Sequence, residues 1–439
     1  MLPESFIIEH ENDDLAALVL HRDRWPDVDV ALAAECIASR RKLRLKVPEW
    51  YADPGIVCPL SLSAEQCSST ATARYKAAAA CDRSPLKALR EEQRARLCPI
   101  KGPQSGHCSS EGQRTVRIAD LTGGLGIDCW KFATVSEAVL YNEMNPVLFE
   151  AAKANLKRLG CDNIEFSQVC ISAETLPGLL DSFKPDLVFA DPARRSEGRK
   201  VFMPEDCSPD VLALQDIVLG RGCHFMVKLS PMADISLMLS KFHCVKELHV
   251  VEADGECKEL LLLMEPEFAG ETTLVVAIAG HAGNDGGDFR FTISEEKAAE
   301  PMFISAMPEP GQLLFEPGPA LSKSGAFKLI SEKYGLRKLG PDTHLYTSDS
   351  MATDLGQSGK WFEILEVAPF GKAALRDFAS RWPGTGVTAR ALPLSSDQLR
   401  LKLESFCNNN AQSGEPGIHL FGLGSSIGRL LIAVSTNKL

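Results

Sequence analysis

Long hydrophobic runs are missing from this sequence of 439 residues, although 45% of its residues are hydrophobic. No apolar stretch approaches the about 20 residues that would span a bilayer, so we expect no membrane-spanning segment. The N-terminus lacks the basic stretch, apolar core and small-residue cleavage site of a secretory signal. We therefore expect a cytoplasmic protein without a membrane partner.

Metal-binding and disulfide patterns are also missing. The 14 cysteines are spread along the chain and form neither a Cys-x-x-Cys pair nor a cluster with histidine. We therefore expect no metal site and no disulfide scaffold. Because free cysteine is among the most buried residue types, most of these thiols are predicted to be buried in a protein of a reducing compartment.

The sequence also lacks an even distribution of charge along the chain, whose net charge is -11. Residues 1–120 carry 17 basic and 17 acidic side chains, residues 121–322 carry 16 and 31, and residues 323–439 carry 14 and 10. The acidity is thus confined to the middle of the chain. This asymmetry permits a basic binding surface on the flanking parts, although such an excess commonly serves solubility alone.

The length predicts several domains. Apolar spacing predicts a helical N-terminal domain at 1–112, which ends in a Gly/Ser/Pro-rich linker from residue 101 onwards. Short apolar strands alternate with amphipathic helices through residues 113–267. Residues 268–320 are predicted to form a small ferredoxin-like α+β unit, and residues 321–439 a compact α/β domain.

The fold class predicted for the central domain is α/β, with a doubly wound, Rossmann-like sheet of seven strands, since strands and helices alternate there. These strands are predicted at 115–120, 138–142, 163–167, 186–190, 223–228, 247–251 and 259–264. Between the second and third, a helix is predicted from Pro146, with Gly160 just past its end. Later strands are predicted at 273–280, 289–294, 361–367, 386–391, 417–422 and 429–435, with helices at 372–382 and 395–405.

The first predicted strand ends in a glycine-rich turn, Asp120-Leu-Thr-Gly-Gly-Leu-Gly126. In a doubly wound sheet, small ligands bind outside the carboxyl ends of the strands. Glu143 ends the second strand, where a carboxylate accepts hydrogen bonds from a ribose diol. A dinucleotide site is the competing interpretation, but a carboxylate at Asp120 would repel a pyrophosphate and attract an ammonium group. A glycine turn that binds no ligand is the third interpretation.

A second candidate feature is the turn Asp191-Pro-Ala-Arg-Arg195, which follows the fourth strand. Strand ends face the ligand site in such sheets, so we expect Asp191 over the bound ligand, with Pro192 stiffening the loop behind it. A plain Asp-Pro turn is the alternative. Lys228, near the end of the fifth strand, is a candidate for positioning a substrate, or a surface charge.

Together these motifs resemble the class I S-adenosylmethionine-dependent methyltransferases, over about residues 115–265. The resemblance implies an S-adenosylmethionine cofactor with three sets of contacts. The methionine part would lie against Asp120, Thr122, Gly123, Gly124 and Gly126, the ribose against Glu143, and the adenine against Met144, Ser172 and Ala173.

The resemblance also implies a reaction centre at Asp191 and Pro192, where amino-group methyltransferases carry Asp/Asn-Pro-Pro-Tyr/Phe. Here Ala193 and Arg194 replace the second proline and the stacking aromatic residue. The Asp-Pro-x-x form is similar to a family that methylates guanine N2 in small-subunit ribosomal RNA. Because guanidinium groups stack on bases and pair with phosphates, Arg194 and Arg195 are candidate RNA contacts, or solvated surface arginines.

The full chain also resembles a bacterial family of uncharacterised methyltransferases with a THUMP-like C-terminal domain, THUMP being an RNA-binding module. The matching segments are Leu60–Ser69, Thr72–Lys76, Asp191–Arg195 and His344–Asp349. This resemblance implies RNA binding by residues 361–439.

Three functions follow from these observations. The leading one is methylation of a base nitrogen in ribosomal or transfer RNA. The second is methylation of a protein or small molecule, because the stacking aromatic is missing. The third is a non-catalytic RNA-binding protein that retains a degenerate methyltransferase fold.

Overall fold

The structure, a computed structural model, describes residues 4–81, 116–193, 195–196, 199–200, 204–280, 289–355, 357–406 and 417–437. The chain divides into two compact units. The first comprises residues 1–253, 258–271 and 279–282, and the second comprises residues 254–257, 272–278 and 283–439. The predicted linker at 101–112 lies outside the described residues, and the four-domain division stays a prediction.

Helices open the first unit, as the apolar spacing predicts. Within the described residues they are α1 (Glu4–Glu9), α2 (Leu15–Leu20), α3 (Val30–Lys46), α4 (Pro48–Tyr51), α5 (Ser61–Gln66) and α6 (Thr70–Cys81). Asp14 and Asp29 fix the starts of α2 and α3, because their carboxylates accept backbone N–H groups of the first turn. Trp50 of α4 shares one hydrophobic core with Tyr141, so these helices pack as part of the first unit.

Seven strands form the sheet of the first unit. They are β1 (Arg117–Asp120), β2 (Ala138–Asn142), β3 (Ile164–Ser167), β4 (Leu187–Ala190), β7 (His224–Leu229), β8 (Val245–Ala253) and β9 (Glu256–Met264). Two short strands, β5 (Arg195–Ser196) and β6 (Arg199–Lys200), form a separate antiparallel ribbon. The order is β3-β2-β1-β4-β7-β9-β8. β1 pairs in parallel with β2 and β4, whereas β9 runs antiparallel to β7. The predicted doubly wound α/β sheet is confirmed.

Helices connect the parallel strands. They are α7 (Ile127–Ala133), α8 (Pro146–Arg158), α9 (Leu176–Phe183), α10 (Val211–Leu219) and α11 (Ile235–Lys241). α8 begins where predicted, because the Asn145 side chain caps its first turn and Pro146 occupies a position that needs no N–H donor. With β1, β2, β4 and β7 parallel, their carboxyl ends lie at one edge of the sheet.

The second unit holds a seven-stranded sheet in the order β13-β14-β12-β15-β18-β17-β16. Its described elements are β10 (Thr273–Ile278), β11 (Phe289–Thr292), α12 (Ile293–Ala298), β12 (Leu313–Pro317), α13 (Pro319–Ser324), α14 (Leu329–Tyr334), β13 (Arg337–Lys338), β14 (Tyr346–Ser348), β15 (Gly359–Pro369), α15 (Lys372–Arg381), β16 (Gly386–Arg390), α16 (Ser396–Glu404), β17 (Ile418–Ser425) and β18 (Gly428–Ser435). β12 pairs with β14 and β15, so a boundary at residue 320 separates strands that are hydrogen-bonded to each other.

One predicted strand is shorter than the sequence suggested. β11 stops at Thr292 instead of residue 294, because Thr292 caps α12. The Thr292 hydroxyl accepts the N–H of Glu295, and the Glu295 carboxylate accepts the N–H of Thr292. This reciprocal capping box ends the strand and starts the helix.

Among the described residues, no helix is both long and apolar enough to cross a membrane. The same residues contain no group of three or more His, Cys, Asp or Glu side chains that could hold a metal ion.

Candidate active site

The predicted glycine turn lies between β1 and α7, at the edge of the sheet where the parallel strands end. Gly124 and Gly126 have φ angles of 53° and 90°, in the left-handed region that residues with a Cβ rarely adopt. Gly126 is also the cap residue of α7. The backbone conformation therefore accounts for glycine at both positions.

Gly123 is fixed by packing. Its N–H donates to the carbonyl of Asn142 at 2.7 Å, and a Cβ built on it would lie 2.2 Å from the Tyr141 ring. The Tyr141 hydroxyl in turn donates to the carbonyl of Gly124 at 2.6 Å. Contacts with the end of β2 thus fix the shape of the loop.

Asn142 is a residue of the candidate site that the sequence analysis missed. Its side-chain amide donates to the carbonyls of Leu121 and Val169 at 3.1 and 3.0 Å, and its side-chain oxygen accepts the N–H of Val169 at 2.9 Å. The buried amide ties the glycine loop to the segment after β3. A polar residue at the end of an otherwise apolar strand is the signal that could have revealed it.

Asp120 is a buried carboxylate that lacks a full set of partners. One oxygen, Oδ1, accepts the N–H of Thr122 at 3.0 Å, whereas Oδ2 is buried without a hydrogen-bond partner among the described residues. Burial, reinforced by the carboxylate of Asp128, raises the pKa of Asp120 well above its ordinary value, against the lowering effect of the Thr122 N–H. Such an oxygen is suited to a positively charged group of a ligand.

Glu143 stands directly after β2 and is half-buried. Its Oε2 accepts the N–H of Gly124 at 2.9 Å, and its Oε1 accepts the N–H of Asn145 at 2.8 Å. These two bonds fix the carboxylate against the loop. Because each carboxylate oxygen has a second lone pair, the group can still accept two hydroxyl hydrogens of a ribose.

Of the three residues predicted to lie near an adenine, two are exposed and Ser172 is half-buried. Met144 is 59% exposed, and Ala173 is exposed as well. The Ser172 hydroxyl is engaged within its own turn, where it donates to Glu174 at 2.6 Å. Their role in binding adenine stays a prediction.

The structure brings together the loop, the Asp-Pro turn and the fifth parallel strand. The backbone N–H of Asp191 donates to Oγ1 of Thr122 at 2.7 Å. The Lys228 ammonium donates to Oδ2 of Asp191 at 2.6 Å. Pro192 is buried behind this contact, while the Asp191 side chain is 29% exposed. The geometry therefore leaves an accessible carboxylate beside the glycine loop.

Lys228 is bound to acidic groups, with its ammonium 3.9 Å from Oε2 of Glu259. Burial by itself lowers the pKa of Lys228, but the carboxylates of Asp191, Glu259 and Asp128 outweigh it and raise the pKa above its ordinary value. The lysine is therefore charged at neutral pH. A direct contact of Lys228 with substrate stays a prediction.

Arg194 lies outside the described residues. The backbone of Arg195 belongs to β5, and its side chain is outside the described part. Their proposed contacts with RNA stay predictions.

Behind Asp191 lies a row of charges that the sequence analysis also missed. Lys76 of α6 is fully buried and forms ion pairs with Asp128 at 2.9 Å and Glu259 at 3.2 Å. Asp128 belongs to α7 and Glu259 to β9. A lysine in an alanine-rich helix would ordinarily be interpreted as solvent-facing. The one signal in the sequence that pointed to this segment was the resemblance of Thr72–Lys76 to a known family.

Comparisons with known proteins agree with this fold. Two sequences from strains of Mycobacterium tuberculosis, both named uncharacterized S-adenosylmethionine-dependent methyltransferases, are 24% identical over 288 residues, which is 65% of this chain and 73% of theirs. The crystal structure of a "putative methyltransferase" from Porphyromonas gingivalis W83 is 26% identical, has a TM-score of 0.76 and covers 100% of both chains. A ferredoxin-like domain family matches residues 313–355.

The fold and these relatives together indicate an S-adenosylmethionine-dependent methyltransferase with a Rossmann-like sheet. The chain is an enzyme of this class. Within it, the chain is similar over its whole length to the Porphyromonas gingivalis protein.

Proposed function

We propose that this enzyme methylates a nitrogen atom of a base in ribosomal or transfer RNA. The observation that carries the proposal is the position of Asp191, whose carboxylate is accessible and lies beside the glycine loop. Lys228 pairs with Oδ2, which leaves Oδ1 to accept a hydrogen bond from a substrate. A carboxylate oxygen at this place is suited to an N–H group, the donor that an exocyclic amine presents.

The residues of the loop fit the cofactor of the class. Oδ2 of Asp120, buried and without a partner among the described residues, would hold a positive charge of the methionine part. Glu143 would hold the ribose through its remaining lone pairs, and the glycines would let the backbone approach the ligand. When bound, S-adenosylmethionine supplies a methyl group that is already activated.

The protein's own contribution is then placement of the acceptor nitrogen. Asp191 Oδ1 would accept an amino hydrogen, direct the nitrogen lone pair towards the cofactor side of the loop, and stabilise the positive charge that develops on nitrogen. Lys228 keeps the carboxylate in one orientation through its 2.6 Å contact with Oδ2. Catalysis would rest on this orientation and on proximity.

Two features support RNA as the substrate. The Asp-Pro-x-x turn resembles that of enzymes acting on guanine N2, which is an exocyclic amine. Residues 323–439 carry 14 basic and 10 acidic side chains and are the only one of the three segments with a basic excess. A basic flanking region is the usual means of holding a phosphate backbone.

A protein or small-molecule substrate is the second candidate. It is favoured by the exposed Ala193, which stands where amino-methylating enzymes carry a second proline beside the stacking aromatic. Without a stacking ring, a planar base loses a contact of about 1–3 kcal/mol.

The decisive experiment is mass spectrometry of modified nucleosides from ribosomal and transfer RNA of cells with and without the protein. The proposal expects one methylated base to be lost and to be restored by the wild-type chain, but not by Asp191→Ala. In parallel, tritiated methyl transfer to total RNA and to protein extract separates the two candidates. Label confined to protein would eliminate the RNA proposal.

A further inference from the structure

The buried ammonium of Lys76 donates hydrogen bonds to Ser68 and Glu259 and forms an ion pair with Asp128. Its Nζ lies 2.6 Å from Oγ of Ser68, 2.9 Å from Oδ1 of Asp128 and 3.2 Å from Oε2 of Glu259. The Lys76 side chain has 0% of its surface exposed. A lysine so placed is fixed in one position, and its charge acts on its neighbours at low local dielectric.

Glu259 is the neighbour that connects Lys76 to the candidate active site. Its Oε2 lies between two ammonium groups, 3.2 Å from Lys76 and 3.9 Å from Lys228. Its Oε1 is buried without a hydrogen-bond partner among the described residues. Lys76 is thus the closer cation that compensates the Glu259 charge, and Lys228 remains 2.6 Å from Asp191.

The charges alternate in sign from α7 to the site. The order is Asp128, Lys76, Glu259, Lys228 and Asp191, with neighbouring charged atoms 2.9, 3.2, 3.9 and 2.6 Å apart. Removing one member of a buried ion pair leaves an uncompensated charge, which is strongly unfavourable. Without Lys76, Glu259 would draw the remaining cation, Lys228, away from Asp191.

We propose that Lys76, on a helix of the N-terminal segment, is a positioning residue for methyl transfer, because it holds Glu259 and thereby keeps Lys228 on Asp191. This inference rests on the proposal that transfer takes place beside Asp191. α6 therefore completes the candidate active site from outside the strands and loops that carry the cofactor motifs. It does so without touching substrate or cofactor.

The kinetic test uses Lys76→Met in the full-length chain and whichever acceptor, RNA or protein, the wild-type enzyme methylates. We expect kcat to fall about tenfold or more, while KM for S-adenosylmethionine stays within about twofold, because Asp120 and Glu143 are untouched. Tyr75→Phe is the matched control, since it removes another polar contact of the same helix, the part-buried 2.5 Å bond to His249. Its kcat should remain near that of the wild type.

A rescue separates positioning from simple support of the fold. Lys76→Met leaves two carboxylates, Asp128 and Glu259, without their cation. Combining it with Glu259→Gln removes the one that lies beside Lys228, so Lys228 is no longer drawn away from Asp191. We expect the double variant to recover kcat to within about threefold of Glu259→Gln alone. If the two changes instead lower kcat additively, Lys76 supports only the fold. Lys76→Gln makes the same test should the methionine variant not fold.

A spectroscopic readout needs no acceptor. In the holoenzyme labelled with ¹⁵N-lysine, the ammonium signal of Lys228, assigned through its loss in Lys228→Met, should shift in Lys76→Met and stay unmoved in Tyr75→Phe. An unmoved Lys228 signal overturns the proposal. If the signal shifts but Asp191→Asn leaves methyl transfer unchanged, the coupling exists and the assignment of the reaction centre is what fails.

Discussion

Replacing Asp120 by asparagine should stabilise the free protein and weaken cofactor binding. The carboxylate has one oxygen buried without a partner among the described residues, and burial raises its pKa well above the ordinary value. In the native state this acid therefore holds a proton at pH values where the unfolded chain, with a pKa of about 3.9, has lost it. Stability consequently falls as pH rises from the unfolded pKa to the native pKa, by about 1.4 kcal/mol for each unit that separates them. Asparagine removes this cost.

The binding loss follows from the same oxygen. Because Oδ1 already accepts the N–H of Thr122, Oδ2 is the atom left to meet a cation. A hydrogen bond to a charged group contributes about 1.5–3 kcal/mol, so Asp120→Asn should raise the Kd for S-adenosylhomocysteine by about 10- to 150-fold. The homocysteine product keeps the ammonium group and is chemically stable, which makes it the practical ligand.

Titration calorimetry between pH 6 and 9, with thermal unfolding of the free protein, measures both effects. Binding a cation to Asp120 lowers its pKa, so the wild type should release a proton on binding and bind more tightly as pH rises through the raised native pKa. Asp120→Asn should show neither trend. Asp181→Asn, which removes an exposed partner of Arg221, is the control. Unchanged affinity and an unchanged pH profile in Asp120→Asn would refute the assignment of this carboxylate.

Three further predictions concern single residues, two in the glycine loop and one on a helix outside the site. Thr122→Val removes the hydroxyl that accepts the Asp191 N–H at 2.7 Å. We expect kcat to fall about tenfold, while the affinity for S-adenosylhomocysteine changes by less than about threefold. Equal losses of kcat and affinity would contradict the assignment of this hydroxyl to the Asp191 turn. Gly123→Ala places a Cβ 2.2 Å from the Tyr141 ring; overpacking of this kind costs about 1–3 kcal/mol in denaturant unfolding. Gly178→Ala, on α9 with nothing within 4 Å of the added Cβ, should instead stabilise the protein by about 0.5–1 kcal/mol.

The sequence predicts the sheet well because each strand is a short apolar run bounded by turn residues. Observed strands such as β2 at Ala138–Asn142 and β4 at Leu187–Ala190 match the predicted ranges within a residue. The acidic residues at strand ends follow from the same pattern, since parallel strands end at one edge. The pattern of apolar runs alone is therefore enough to place Asp120, Glu143 and Asp191 at this edge of the sheet.

Other features of the site depend on contacts that no local pattern encodes. The side chain of Asn142 reaches Val169, 27 residues away, and the need for glycine at Gly123 comes from the Tyr141 ring. Neither contact follows from hydrophobic periodicity. The early end of β11, by contrast, could have been predicted from the sequence, because Thr292 and Glu295 have the spacing of a capping box.

Lys76 shows most clearly why a motif is an incomplete description of this site. It lies on α6, before the described sheet begins, and reaches Glu259, 183 residues later in the chain. Desolvating one lysine there is tolerable only because two carboxylates and a hydroxyl surround it. Replacing a buried ion-pair network by packed apolar side chains of similar volume is often neutral or stabilising, so stability alone does not account for this arrangement. In the proposed role, the positive charge of Lys76 compensates Glu259 and so leaves Lys228 paired with Asp191. This role gives a physical reason for a lysine at this position.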